Sequence, residues 1–298
     1  MKKVNLILFI LFLGLNLNGQ ERLFNMNNSM SFSNNPARTG MSPATQINYG
    51  LGMYDLNSSF RKFNQLLNFD TYIPKIKGGV GLEIGTFNAG KDFLNAQTFI
   101  VTYAYPIINK TNTLLSVGAG LGMNRNKTDF TELVFGEINH IVSERYHMRA
   151  NYGFHFSYKS IFIEGSQSFY KRISYTPSEL DYSALTRLQI GHTLTPFKNK
   201  NLKFSNALQF MTENGFYNIN WGLNFNTSRF AIGGNINFLY DYMANAAVRL
   251  GPVWIRYAYQ FSSSPLTYAN HSDHEIALKY IFKKPMNPLL KKFDQFLF

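Results

Sequence analysis

The sequence contains no cysteine, which excludes a lipidated amino terminus, a disulfide framework and a thiolate metal site. It also lacks any stretch after residue 15 that approaches the ~20 continuous apolar residues of a transmembrane helix, so any membrane span must be made by strands. Acidic residues are scarce, with 17 Asp and Glu against 29 Lys and Arg. No Lys/Arg run exceeds two residues, which favours a basic lumen, a basic periplasmic surface or contact with anionic lipid over nucleic-acid binding.

Residues 1–19 have the three parts of a cleaved signal peptide. Lys2 and Lys3 give a basic start, an apolar core covers residues 4–15, and a polar stretch ends at Gly19. The apolar core is too short to span a bilayer comfortably. We therefore expect a leader that is removed from the mature protein.

Short segments in which apolar and polar residues alternate with period two fill most of the remaining chain. This pattern is typical of strands that present one face to lipid and the other to water. Aromatic residues make up 16% of the sequence, as the interfacial girdles of a membrane barrel require. In the clearest segment, 216–226, one phase holds Tyr217, Ile219, Trp221, Leu223 and Phe225, and the other holds Phe216, Asn218, Asn220, Gly222, Asn224 and Asn226.

Fourteen such segments within residues 44–283 predict an all-β protein, an outer-membrane antiparallel β-barrel. An even number of strands returns both ends of the chain to the periplasmic side. The alternation is weakest at 67–74 and 243–250, and twelve strands would remain without that pair. Two stretches without alternation, 125–144 and 169–184, are predicted to be the longest loops. The predicted strands are residues 45–54, 67–74, 76–87, 94–106, 112–124, 145–157, 159–168, 185–195, 200–213, 216–226, 229–239, 243–250, 252–262 and 273–282.

Two segments flank the predicted barrel and do not follow its pattern. In residues 20–43, Asn-Pro and Thr-Gly pairs specify turns, which predicts an ordered periplasmic segment or a plug. Residues 284–298 carry apolar side chains at helical spacing, including Phe293 and Phe296, which predicts a short amphipathic helix. Such a helix could dock in the lumen, lie on the inner leaflet or bind a periplasmic partner.

Three motifs, spread over nearly the whole mature chain, resemble those of a known family. They are Asn-Pro-Ala-Arg-Thr-Gly at 35–40, Lys-Gly-Gly-Val-Gly-Leu at 77–82 and His-Glu-Ile-Ala-Leu-Lys-Tyr at 274–280. Their order and spacing resemble the PorP/SprF family of type IX secretion system outer-membrane proteins of the Bacteroidota. Arg38 stands where an aromatic residue is common in that family.

The resemblance implies a fourteen-stranded barrel that is not an enzyme. Family members serve type IX secretion and, in gliding species, the export or surface retention of large adhesins. The implied partners are outer-membrane lipid, the C-terminal domain of a secreted adhesin and periplasmic components of the secretion and gliding machinery. No cofactor is implied.

The densest cluster of titratable residues runs from His271 to Glu275. Adjacent residues of a strand point to opposite faces, so Asp273 and His274 would diverge, which disfavours a shared metal ion. No Gly-x-Ser-x-Gly context supports a hydrolase. The sequence therefore predicts no catalytic residue and no metal site.

Charged residues on the inward phase most simply pair across a polar lumen; these are Glu83, Glu164, Arg187, Arg229, Arg249, Arg256 and Lys279. Three of them, Arg229, Arg249 and Arg256, could also form an arginine-rich wall for the carboxylates of a bound peptide or of the chain's own C-terminus. The residues predicted to bind a partner are Asn35, Pro36, Arg38, Arg229, Arg249, Arg256, Phe293 and Phe296.

Two functions follow from these features. One is a non-catalytic anchor or docking protein that captures its partner through loops or terminal segments. The other is a pore or transporter with a basic lumen. Ordered terminal segments that plug the barrel would favour docking, whereas an open lumen with a loop constriction would favour a pore.

Overall fold

The computed structural model describes residues 31–285, apart from 43, 57–60, 91–92, 111, 135–136, 172–181, 195–201, 214–215, 239–240 and 263–271. Fourteen antiparallel strands form a closed barrel in which each strand pairs with its neighbours in sequence and β1 pairs with β14. The predicted all-β barrel of fourteen strands is confirmed. The strands are β1 Ala44–Tyr54, β2 Lys62–Ile73, β3 Gly78–Ala89, β4 Leu94–Lys110, β5 Thr113–Val134, β6 Glu137–Tyr158, β7 Ile161–Lys171, β8 Tyr182–Leu194, β9 Lys203–Glu213, β10 Phe216–Asn226, β11 Phe230–Asn237, β12 Asp241–Leu250, β13 Val253–Ser262 and β14 Ser272–Pro285.

Among the described side chains of the apolar belt, the two faces of the wall differ in polarity, as the alternation predicts. The outer face exposes large apolar side chains, and the inner face buries polar ones. Closure leaves no sheet edge around the body of the barrel. Representative outward residues are Leu67, Phe69, Phe99, Val101, Leu121, Ile190, Trp221, Ile232 and Leu278; representative inward residues are Gln46, Asn68, Asp70, Glu83, Thr102, Asn151, Glu164, Asn224, Asn245 and Glu275.

The barrel has two distinguishable ends. We call the end where β1 begins and β14 finishes the terminal end, and the opposite end the distal end. Connections at the terminal end include a 3₁₀ turn at Pro74–Ile76 and a tight turn whose Gly251 has φ 61°. The only helical pieces in the described part of the chain are single turns, and none could cross a membrane.

Both segments with weak alternation are strands, β2 and β12, so the twelve-stranded alternative is wrong. The largest error concerns residues 125–144, which were predicted to be a loop. Most of them belong to two long strands, because β5 continues to Val134 and β6 resumes at Glu137. The paired ends of these two strands, residues 125–134 and 137–148, are called the distal hairpin.

The sequence pattern does not predict the distal hairpin, and the reason is physical. Alternation arises where one face of a strand meets lipid. The outward charges Arg125 and Glu144 form a salt bridge of 2.8 Å, and Tyr146 donates a hydrogen bond to Glu144. Charges of this kind mark the point where the strands leave the apolar belt, so the lipid-facing pattern stops there while strand pairing continues.

Candidate functional site

Residues 31–42, called the strap, run through the inside of the barrel. They comprise a single helical turn, α1 Ser31–Asn34, a 3₁₀ turn at Pro36–Arg38 and a further turn at residues 39–40. Phe32 and Ala37 are 1% and 0% exposed, although the strap belongs to neither sheet face. The strap therefore lies in the lumen.

Local sequence fixes the turns of the strap. The Asn35 side chain caps the 3₁₀ turn by accepting a hydrogen bond from the Ala37 N–H at 3.0 Å. Pro36 occupies the first position of that turn, where its fixed φ is favourable and no donor is needed. Gly40 has φ 65°, a conformation that other residues rarely adopt. The Asn-Pro and Thr-Gly pairs thus form the turns that the sequence predicted.

The first half of the strap binds strands β2, β6, β7 and β8. Asn68 of β2 donates a hydrogen bond to the Ser33 hydroxyl at 2.7 Å. The Asn34 carbonyl accepts hydrogen bonds from Ser166 at 2.6 Å and from Arg187 at 3.2 Å. The Asn35 amide donates to the carbonyl of Phe154 at 2.9 Å.

The second half of the strap binds β4 and again β2. The Thr39 hydroxyl donates to the Thr102 hydroxyl at 3.0 Å, and the Gly40 N–H donates to the Asp70 carboxylate at 2.9 Å. Met41 packs with Leu114 and Phe162 in a small apolar cluster.

Glycines in the wall make room for the strap. A Cβ on Gly79 would lie less than 3.0 Å from the Thr39 carbonyl, and one on Gly118 would lie that close to the Pro36 carbonyl. A Cβ on Gly153 would overlap the Asn35 side-chain oxygen in the same way. The wall and the strap are therefore complementary in shape, and backbone approaches backbone without intervening side chains.

Arg38 completes the site through a buried charged cluster. Its guanidinium lies 3.5 Å from one oxygen of Glu164, and His155 Nδ1 lies 2.9 Å from the other oxygen. The side chains of Arg38, Glu164 and His155 are 4%, 7% and 3% exposed. Because the cluster is removed from water, the carboxylate compensates the guanidinium at low dielectric, where their attraction is strong.

These contacts place three of the predicted partner-binding residues. Asn35, Pro36 and Arg38 are all buried in the strap, where they contact the wall of the same barrel. An external partner would have to displace the strap to reach them.

The predicted arginine wall is wrong as a single surface. Arg256 is buried on the inner face, but Arg229 lies in the exposed turn between β10 and β11. The cause is Thr227, whose hydroxyl accepts hydrogen bonds from the Arg229 and Phe230 N–H groups and forms a turn that delays the start of β11 to Phe230. Arg249 is also exposed, and its Nε donates to the Gly251 carbonyl at 2.9 Å.

The remaining predicted positions divide between the described and undescribed parts of the chain. Phe293, Phe296 and His271 lie outside the described residues. Asp273 is buried on the inner face, whereas His274 points outward and its Nδ1 lies 2.8 Å from the Tyr257 hydroxyl. Within the described ranges, no group of three His, Asp or Glu side chains could hold a metal ion.

Two titratable residues of the strap site, Asp70 and His155, were not predicted from the sequence. Each occupies an inward phase of its strand, and Asp70 is 1% exposed. The sequence feature that could indicate such a residue is an acidic side chain on the lumen-facing phase of a strand, as at Asp70. Recognising its role requires the strand register that brings it to Gly40.

Replacing Asp70 with alanine should weaken one end of the strap. The change removes the charged acceptor of the Gly40 N–H, and a hydrogen bond to a charged group contributes about 1.5–3 kcal/mol. We expect a loss of that size in the free energy of unfolding, measured by urea titration in lipid vesicles with tryptophan fluorescence. Asp70→Asn retains an acceptor oxygen and should lose less; an equal loss in both variants would contradict this role.

Comparisons with known proteins agree with this architecture. The model of a family described as type IX secretion system membrane protein PorP/SprF matches residues 18–280. None of the curated proteins resembles the sequence closely enough to count as a relative.

Similarity to one solved structure, that of Omp33, supports the fold alone. Omp33, an outer membrane protein of Acinetobacter baumannii, has a TM-score of 0.52 and 8% identity over 82% of this chain and 100% of that chain. The toluene transporter TodX of Pseudomonas putida gives 0.48 and 9%, over 89% of this chain and 97% of that chain. CdiB of Acinetobacter baumannii gives 0.48 and 9%, over 80% of this chain and 60% of that chain.

The family match covers most of the sequence and includes all three motifs. The structure brings the first two motifs into contact, because Thr39 and Gly40 of the strap lie against Gly79 of the wall. The match also assigns the barrel to the outer membrane as a component of a secretion system. The chain belongs to the PorP/SprF family of type IX secretion system membrane proteins.

Proposed function

We propose that this chain is a non-catalytic docking protein of the type IX secretion and gliding machinery. In this proposal it supports the export or surface retention of a secreted adhesin, which it recognises through the adhesin's C-terminal domain. The observation that carries the proposal is the strap, which is hydrogen-bonded inside the lumen to strands β2, β6 and β7. A barrel whose lumen holds such a segment is better suited to holding a partner than to conducting solutes.

We further propose that the terminal end faces the periplasm. An even number of strands puts both ends of the chain on one side, and outer-membrane barrels have short turns on the periplasmic side and longer loops outside. Several connections at the terminal end are tight turns, such as those at 159–160 and 251–252. The distal end carries the distal hairpin and the connections at 172–181 and 263–271, which span more residues. The distal end would then be extracellular.

The mechanism is positional. The barrel fixes the protein in the outer membrane, and the strap makes the wall rigid by binding across it. Surfaces at the two ends remain available for a secreted protein on one side and for periplasmic components of the machinery on the other. No chemical step is assigned to any residue.

Affinity capture of the full chain, after gentle detergent extraction from its native outer membrane, tests this function. We expect mass spectrometry to identify a large secreted protein or periplasmic secretion components with the barrel. Capture after a high-salt wash, and from cells that express an unrelated barrel with the same tag, provides the control. Recovery of the barrel alone would contradict the docking role.

Planar bilayer recordings test closure separately. The wild-type protein should give no steady conductance, because the strap occupies the lumen. A stable, anion-preferring conductance from the purified wild type would instead support the alternative function, a pore with a basic lumen.

A further inference from the structure

The distal hairpin has one strand edge that no described strand covers. Strand β7 pairs with β6 only from Arg149 to Tyr158, so residues 137–148 of β6 have β5 as their single described neighbour. At roughly 3.4 Å per residue, this edge is about 40 Å long. Open edges of this length are templates for another strand.

The hydrogen-bond phase of the hairpin shows which residues face the open side. The backbone N–H of Lys159 donates to the Asn112 carbonyl, which makes residues 112 and 159 a hydrogen-bonded pair of the ladder. Such pairs recur at every second residue of an antiparallel ladder, so Ser143, Arg145 and His147 bond to β5. Val142 and Glu144 therefore direct their N–H and C=O groups toward the open edge.

Side chains beside this edge define what could bind there. On the outer face Val142 and Tyr146 are 55% and 60% exposed. On the other face Arg145 is partly buried and has no ion pair within the described part of the chain. An added strand would place alternate side chains next to these two sets, because residues on one face of neighbouring strands are in contact.

We propose that the edge of β6 at residues 137–148 is a β-augmentation site for an extended segment of a separate protein. The segment carries acidic side chains, which meet Arg145, alternating with apolar side chains, which pack beside Val142 and Tyr146. Backbone hydrogen bonds to the edge supply affinity, and the alternating side chains supply selectivity. The inference deepens the proposed docking function and rests on it.

A second copy of this chain is a poorer occupant. Two barrels in one membrane are related by rotation about the membrane normal, which leaves their β6 strands running in the same direction. The more stable antiparallel pairing of the two edges is then impossible. A free segment of another protein can approach in either direction.

Binding of labelled peptides to the full chain in detergent tests the site. The probe is a fluorescent peptide of about ten residues in which glutamate alternates with valine, and its counterpart has lysine in place of glutamate. We expect the wild type to bind the glutamate peptide at least about tenfold more tightly. Equal binding of the two peptides, or no binding of either, would overturn the proposal.

Three variants locate the binding to the edge. Val142→Pro removes an edge donor without touching the β5 ladder, since proline is tolerated at edge positions, and should weaken binding about tenfold. Arg145→Glu should abolish the preference for the glutamate peptide. Lys127→Glu is the matched control, because Lys127 is exposed on the outer face of the same hairpin; it should bind like the wild type. Heat-modifiable migration on SDS gels verifies that each variant is a folded barrel.

Repeating the affinity capture with these variants separates the two proposals. If Arg145→Glu and Val142→Pro recover the secreted partner at the wild-type level, the edge is not the docking surface and the docking function stands. If the wild type recovers no partner, the docking function fails, and the peptide titration still decides whether the edge binds strands. Loss of the partner from both edge variants, but not from Lys127→Glu, supports both proposals.

Discussion

Replacing Gly79 with alanine is expected to release the strap from the wall while leaving the barrel assembled. The new Cβ would lie less than 3.0 Å from the Thr39 carbonyl, and backbone atoms at that site can separate only if the strap moves. Overpacking of this kind costs about 1–3 kcal/mol. A cost of about 2 kcal/mol would raise the population of the open strap roughly thirtyfold.

A single engineered cysteine measures that opening, since the natural chain has none. Ser42→Cys places a thiol at a position that is 3% exposed. Its reaction with a maleimide should be slow in the wild-type background and roughly thirtyfold faster when Gly79→Ala is added. The bilayer conductance of Gly79→Ala should rise above that of the wild type in the same preparation.

Gly222→Ala is the matched control for this experiment. Gly222 also faces the lumen, but a Cβ there would approach the side chain of Asn235, which can rotate away, and no part of the strap. The thiol should therefore react in this background at the wild-type rate. Equal acceleration by Gly79→Ala and Gly222→Ala would mean that the thiol reports general loosening of the barrel and not release of the strap.

The barrel could be predicted from the sequence because its cause is local. Each strand has lipid on its outer face and the polar lumen on its inner face, so apolar and polar residues alternate along it. The same reasoning explains the error at residues 125–144, where pairing persists after the lipid has ended. Apolar and polar residues alternate only where the two faces of a strand meet different environments. A strand that has water on both faces therefore shows no alternation and is not predicted.

The strap site could be predicted only in part. The turns at Asn35 and Gly40 depend on adjacent residues, so the sequence indicates them directly. The carboxylates that bind the strap cannot be inferred from adjacent residues, because Asp70 and Glu164 lie on strands that are distant from the strap in sequence. Arg229 illustrates the reverse case, in which one hydroxyl, that of Thr227, forms a turn that keeps a predicted lumen residue out of β11. Long-range register and single turn residues were thus the two kinds of information that periodicity lacked.

Disrupting the Arg38–Glu164 pair should cause the largest loss of stability, and restoring neutrality should recover much of it. Glu164→Gln leaves the buried guanidinium without this carboxylate, and Arg38→Met leaves the buried carboxylate without this guanidinium. Breaking one partner of a buried ion pair costs about 3–5 kcal/mol. The double variant leaves neither charge unpaired, so its loss should be clearly smaller than the sum of the two single losses.

A double-mutant cycle on the free energy of unfolding in lipid vesicles measures this coupling. The control cycle uses the same two residue types in the distal hairpin, Arg125→Met and Glu144→Gln. That pair is shorter, 2.8 Å against 3.5 Å, but its side chains are 36% and 37% exposed. If the distance between the charges determined the coupling free energy, the hairpin pair would couple more strongly. Burial should determine it instead, so we expect strong coupling in the strap and none beyond error in the hairpin. Additive losses for Arg38 and Glu164 would show that the strap is held by its hydrogen bonds and shape, and that the buried charges contribute nothing specific.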